Sequence, residues 1–309
     1  MNFKLLSLVS IFILQSCSLL NPPQSRRPPR ANYTQNQNQG YNPIKKKIVV
    51  LDFFNESEYG RQDLALTATR EMKNELNRSR EFVVDTDSSS LFGTSKEIFS
   101  GGGVKLAGLS RKARLNGVNL ILFGRVITAK VRQKTDEIGF IRKTDSFAKT
   151  ELEVRLFDVH ANKEIYKGKM NGDIRDRSNK FFMTENSEKI KDRREILRYS
   201  IRVAARRLVP PLIKVASKLD WTGRVAKIIG QQIYINAGRS SGVYVGDILT
   251  VLTVGTEIYD PESGALIGVS KGEVKGTLEV IDFIGVDGSI AILHSGGSVT
   301  EGDFVQLYN

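Results

Sequence analysis

Cys17 is the one thiol in the chain, and His160 and His294 are its two imidazoles. A lone cysteine closes no intrachain disulfide, and it builds neither a cysteine-pair zinc site nor a disulfide redox couple. His160 falls in a turn and His294 in a β-strand, with no ligand at metal spacing beside either. Both are read as solvent-facing. Gly101-Gly-Gly103 precedes a helical segment but lacks the Gly-x-Gly-x-x-Gly order and the Lys-Ser/Thr of a phosphate-binding loop. It is read as a flexible loop. Asp52 ends a strand, where catalytic acids often sit, but no partner is identifiable, so a helix-capping or turn role is expected. No catalytic residue, cofactor-binding residue, metal ligand or small-molecule substrate is predicted, and the chain is not expected to be an enzyme.

The remaining chemistry is that of Cys17. Lys4 precedes an apolar run from Leu5 to Leu14, which is followed by Gln15, Ser16 and Cys17. One positive charge, about ten apolar residues and a small residue before the cut make a secretory signal peptide over residues 1–16. The run is too short to cross a bilayer as a helix, which takes about 20 residues. Leu14-Gln15-Ser16-Cys17 resembles the bacterial lipobox, Leu-x-small-Cys. That resemblance implies that Cys17 becomes the first residue of the mature protein, carrying a diacylglycerol thioether and usually an amide-linked acyl chain. Several acyl chains anchor stably where one attaches only reversibly. Ser18 stands where the inner-membrane retention signal is an aspartate, which by resemblance favours the periplasmic face of the outer membrane.

Residues 17–44 then read as a lipid-anchored tether. Asn21–Arg30 is rich in Pro and Asn32–Gly40 in Asn and Gln, a composition that buries no core. Order is expected from Lys45. Ile48–Leu51 is a continuous apolar run of the kind that forms a buried strand. Leu64, Ala68, Met72 and Leu76 mark one helix face. Phe82–Val84 reads as a short strand, Leu106–Ala113 as a helix and Val118–Val126 as a second buried strand. Leu152, Val154 and Leu156 alternate with charged residues, as in a strand with one wet face, and a turn over Asp158–Asn162 leads to a hairpin partner over Lys163–Met170. Ile190, Leu197, Ile201, Ala204 and Leu208 form the stripe of a long helix that Pro210-Pro211 is expected to end. The fold class is α+β: a mixed α/β domain over 45–218, then a small all-β barrel over 219–309. In the barrel Gly and Asp turns recur about every ten residues. Gly246-Asp247 and Gly302-Asp303 share the pattern V-x-x-G-D-hydrophobic-hydrophobic and read as turns that feed a strand; a lone Asp beside Gly supplies too few oxygens for Ca²⁺.

Charge divides the two parts. From Trp221 onward five Lys/Arg stand against ten Asp/Glu, a net of −5, while the whole chain carries +12, which leaves +17 for residues 1–220. Such polarity points to partners of opposite sign. For an exported protein these are anionic head groups, cell-wall polymers and acidic proteins rather than nucleic acid.

Ile48–Asn55, Val118–Gly124 and Glu151–Asp158, the last followed by Ala161–Tyr166, resemble the CsgG family, the outer-membrane lipoproteins of curli secretion, and its relatives. These relatives include the N-terminal domain of TolB, penicillin-binding-protein activator lipoproteins and the middle domain of the flagellar assembly protein FlgT. Asn236–Asp247 and Ile258–Gly268 are similar to the small β domain that ends FlgT. The resemblance implies a homo-oligomeric structural or assembly component of a cell-envelope machine, of the curli or flagellar-ring kind, that docks envelope proteins. It also implies two alternatives, an oligomeric secretion channel and an activator of a cell-wall synthase. The channel would need transmembrane hairpins between Arg125 and Glu151 and between Lys169 and Lys191. Both segments are densely charged, and each charge on a lipid face costs about 2–4 kcal/mol near the midplane.

Overall fold

The computed structural model describes residues 44–59, 61–85, 89–138, 141–181, 193–264 and 266–308. Cys17, the tether up to residue 43 and Ile190 lie outside them, while Ile44 packs against the core of the last part. β1 (Lys46–Val50) is the centre of the first sheet because its residues are apolar on both faces: Ile48 and Val50 look one way, Val49 and Leu51 the other, and all four are fully buried. A strand walled on both sides suits parallel pairing, and β1 lies parallel to both β3 (Phe82–Asp85) and β4 (Leu120–Ile138). The short β2 (Phe54–Asn55) also runs parallel to β4. β5 (Ile141–Asp158) and β6 (Lys163–Phe181) continue antiparallel, giving the order β3-β1-β4-β5-β6.

Two helices cover one face and one the other. α1 (Arg61–Ser79) buries Leu64, Ala68, Met72 and Leu76, the expected stripe, in a core shared with α3 (Arg193–Ala216). α2 (Ser95–Leu115), preceded by a 3-10 turn at Ser89–Phe92, packs Ile98 and Ala113 against Val49, Ile121, Phe123 and Phe157. The protein is thus mixed α/β in its first part, and among the described residues no helix is long and apolar enough to cross a membrane.

Three local expectations are corrected. Gly101–Gly103 is no loop but lies inside α2; Ile98 and Phe99 before it and Leu106 and Leu109 after it meet one core, and that tertiary burial outweighs about 1 kcal/mol of helix propensity per glycine. Pro210-Pro211 does not end α3, which runs on to Ala216 and buries Leu212 and Ala216. The two missing N–H groups would have served the carbonyls of Arg206 and Arg207, both exposed residues, where an unpaired carbonyl costs least. The strands expected to end near residues 126 and 170 and to begin near 151 are instead 19, 19 and 18 residues long.

The last part is a closed six-stranded barrel made of β7 (Gly223–Ile229), β8 (Gln232–Ile235), β9 (Ile248–Leu252), β12 (Val274–Ile284), β13 (Gly288–Gly296) and β14 (Phe304–Leu307). A separate ribbon of β10 (Glu257–Tyr259) and β11 (Leu266–Val269) is set between β9 and β12 in the chain. Val225, Ile235, Leu249, Val251, Leu278, Val280 and Val305 fill the barrel. Both Gly-Asp pairs feed a strand, β9 and β14. Gly246 and Gly302 take φ of +93° and +99°, which glycine adopts freely. The carboxylates of Asp247 and Asp303 accept the N–H of Tyr244 at 2.8 Å and of Thr300 at 2.7 Å.

Candidate functional site

Two features lie outside the fold's own cores: the seam where sheet meets barrel, and the open face of the long strands. The seam is built on Asn119, the residue before β4. Its side-chain oxygen accepts the N–H of Lys47 at 2.8 Å, and its amide donates to the carbonyl and hydroxyl oxygens of Thr222 at 2.7 and 3.0 Å. The β5–β6 turn adds His160, whose Nε2 lies 2.5 Å from the Thr222 hydroxyl and whose ring meets Phe304 edge-on at 5.0 Å. The turn is as expected, but the ring does not face solvent. Asp158 shapes the turn by accepting the N–H groups of His160 and Ala161 at 2.9 and 3.2 Å. His294, by contrast, is exposed on β13, 3.8 Å from Glu279.

Ion pairs extend the seam. Glu257 on the ribbon grips Arg114 at 2.8 Å and Arg111 at 3.4 Å near the end of α2, and Tyr259 donates to the same carboxylate at 2.6 Å. Arg224 of the barrel donates to the carbonyl of Leu115 at 2.7 Å, a cation at a helix C-terminus where the dipole favours it. Lys45 gives its N–H to Ser241 at 2.8 Å, and the Lys47 ammonium stands 3.9 Å from Asp287. A cleft of about 360 Å³ opens along this line, walled by Lys46, Arg114, Asp158, His160 and Lys271. The Thr222 hydroxyl stands against the His160 imidazole and also accepts the Asn119 amide, and among the described residues no group of three His, Cys, Asp or Glu is placed to hold a metal. Asp52 instead serves the start of α2 through its backbone, its carbonyl receiving the N–H of Ser95.

Burial governs titration here. It pushes the His160 imidazole down to about 4, helped by the Arg114 charge. It lowers the Lys46 ammonium although Asp220 and Asp158 pull upward, and it raises the Asp158 carboxyl against its two backbone bonds and Lys46. Below the ordinary imidazole value of 6.5 the unfolded chain takes a proton that folded His160 refuses. Stability therefore falls as pH drops from 6.5 towards about 4, by roughly 1.4 kcal/mol per pH unit and about 3 kcal/mol in all. Asp158 works the other way, since its contribution is lost as pH rises through its raised folded value. In urea unfolding between pH 7 and 5, His160→Gln is expected to flatten this slope, and an unchanged slope would show that the ring titrates freely.

The second feature is the far half of β4, β5 and β6. One face seats α3 through Ala129, Ala148, Thr150 and Gly172. The other is open: Lys130, Arg132 and Lys134 on β4 and Arg175 on β6 are exposed, as is Phe147 on β5 at 37%. Phe147 pairs with Arg132 on one side and Arg175 on the other, so an aromatic ring sits in a row between two guanidinium groups. The alternation of Lys130, Arg132 and Lys134 with Ala129, Val131 and Gln133 was the available sequence signal for this strand.

No protein-family model matches the sequence, and no curated protein does. Among solved structures, the chain is similar to the PelC dodecamer from Paraburkholderia phytofirmans at 11% identity, over 55% of this chain and 92% of that one, with a TM-score of 0.28. It is similar to the LpoB C-terminal domain from Salmonella enterica at 15% identity, over 42% and 83%, with a TM-score of 0.27. It is similar to lipoprotein GNA1162 from Neisseria meningitidis at 14% identity, over 56% and 99%, with a TM-score of 0.27. All three likenesses are weak.

Proposed function

We propose that this protein is a non-enzymatic structural component of a cell-envelope assembly, held by lipid on Cys17 at the periplasmic face of the outer membrane, where it self-associates and docks envelope proteins. Residues 45–218 act in this reading as a CsgG-like domain and 219–309 as a small β module, in a machine of the curli-secretion or flagellar-ring kind. The observation that carries it is the run of β4, β5 and β6, which are 19, 18 and 19 residues long and leave Lys130, Arg132, Lys134, Phe147 and Arg175 exposed on one face. Such a surface beside a seam of mutually bonded groups suits holding partners rather than turning over a substrate. Light scattering and negative-stain microscopy of the lipid-anchored protein in mild detergent test it. A defined oligomer is expected, and a monomer at every concentration would defeat the reading.

The strand lengths also favour a second reading, the oligomeric channel, because a membrane strand takes about 9–11 residues. Against it, Lys130, Arg132 and Lys134 occupy one face in succession, at about 2–4 kcal/mol each if that face meets lipid near the midplane. Single-channel conductance from the purified oligomer would establish the channel, and silence would retire it.

A further inference from the structure

We infer that the open sheet face docks onto the barrel of a second copy of this chain, head to tail, with Phe147 flanked by Arg132 and Arg175 entering an apolar, acid-rimmed patch around Ile281. This rests on the self-association proposed above and names its interface.

The receiving patch is set by backbone geometry. β12 carries a bulge against β13 between Val280 and Asp282, which pair with Ala291 and Ile290 and leave Ile281 as the extra residue. A bulge re-aims the side chain it releases, and Ile281 is 38% exposed. The turn before β9 comes alongside, since Gly246 gives its N–H to the carbonyl of Val280 at 2.7 Å. That turn exposes Tyr244 at 48% and Val245 at 45%. Glu279 lies two residues before Ile281 and Asp282 directly after it, and Asp282 is exposed. Three apolar groups thus stand with two carboxylates beside them.

The sheet face is the complement in shape of charge. Arg132 and Arg175 stand on either side of one partly wet ring, and Arg175 meets Asp145 at only 3.6 Å, so carboxylates arriving with apolar groups would cover the ring and pair the guanidinium groups at closer range. The next row holds Lys130 and Lys149 with Asp173 at its end, a net of one further positive charge. The polarity repeats at the level of the chain, with −5 on the barrel part and +17 before it. Guanidinium–carboxylate pairing supplies geometry as well as charge. Because the two surfaces are different patches of one chain, the contact is heterologous and closes into a ring or runs on as a filament.

Charge reversal in the full lipid-anchored chain tests this by light scattering. Arg132→Glu with Arg175→Glu, and separately Glu279→Arg with Asp282→Arg, are each expected to weaken self-association at least tenfold. All four changes in one chain restore the complement with its signs exchanged, and are expected to recover the wild-type mass whatever the ring size. Recovery also shows that the reversed surfaces are folded. An oligomer indifferent to both pairs would overturn this interface and leave self-association standing. A wild type that stays monomeric would remove both. Binding of the basic face to phosphatidylglycerol vesicles, lost in the Arg132→Glu/Arg175→Glu chain while the oligomer's mass is unaffected, would overturn the second copy as its occupant.

Discussion

Gly172→Ala is expected to cost about 3 kcal/mol. Gly172 lies on β6 under α3, where a Cβ would fall 1.8 Å from the carbonyl oxygen of Ser200 and 2.9 Å from the backbone nitrogen of Ala204. Glycine inside a strand often marks such a backbone approach. The sites around it are small as well: Thr150 pairs with Gly172 across the ladder, and the Ser200 hydroxyl lies 3.2 Å from that of Thr150. A side chain at 172 cannot be met by a rotamer change, because the obstacle is helix backbone. α3 would have to lift, and with it Ile196, Leu197, Ile201, Leu208 and Leu212, all buried in the main core. Overpacking of a well-filled core costs about 1–3 kcal/mol and at times more; a shift of a whole helix belongs at the upper end. Gly168 provides the control, since the nearest atoms to a Cβ there belong to the side chain of Tyr166. Urea unfolding followed by near-UV circular dichroism should rank Gly172→Ala well below Gly168→Ala. Equal midpoints would mean that α3 rides higher on the sheet than described.

What was legible in the sequence was mostly local. Ile48–Leu51 announces a strand buried on both faces by its composition, and Leu64, Ala68, Met72 and Leu76 announce one helix face by their spacing. The paired Gly-Asp turns could be read because the cause, a positive φ followed by an aspartate that binds its own backbone three residues back, lies within a few residues. The misreadings share a cause too. Gly101–Gly103 and Pro210-Pro211 are breakers by local rule, and each is overruled by apolar residues beyond it that reach a distant core. The strand extensions were missed because charged residues on the open face dilute the apolar signal to alternate positions. The seam was out of reach altogether, since Asn119 joins Lys47 and Thr222 across 72 and 103 positions. His160 was placed in its turn but not against the barrel, which no spacing within its own hairpin records.

The same limit hid the ion-pair cluster on Glu153. Glu153 on β5 is fully buried, and its carboxylate takes Arg125 at 2.7 Å and Arg155 at 3.3 Å. Both guanidinium groups also lie over the ring of Phe99, at 4.9 and 4.4 Å, and Arg125 reaches on to Glu56 at 2.9 Å. Burial alone would raise the Glu153 carboxyl, but the bonds from Arg125 and the charges of both arginines outweigh it and hold the group below its usual range. A depressed carboxyl contributes stability above its unfolded value of 4.5 and loses it as pH falls through the folded one. This adds to the acid sensitivity expected from His160. Removing one partner of a buried pair costs about 3–5 kcal/mol because the other charge is left uncompensated. Arg125 and Arg155 keep 24% and 25% of their side-chain surface in solvent, which places Glu153→Ala near the lower bound. Glu56 at 2.9 Å and Glu164 at 3.6 Å still partner Arg125 and Arg155, so adding Arg125→Met and Arg155→Met should recover only part of that loss, since a well-packed apolar substitute for a buried ion pair is often neutral. Urea midpoints of the single and triple variants decide the matter. If Glu153→Ala alone costs less than about 1 kcal/mol, the cluster behaves as a surface ion pair and α2 is held to the sheet by Phe99, Phe123 and their neighbours without electrostatic help.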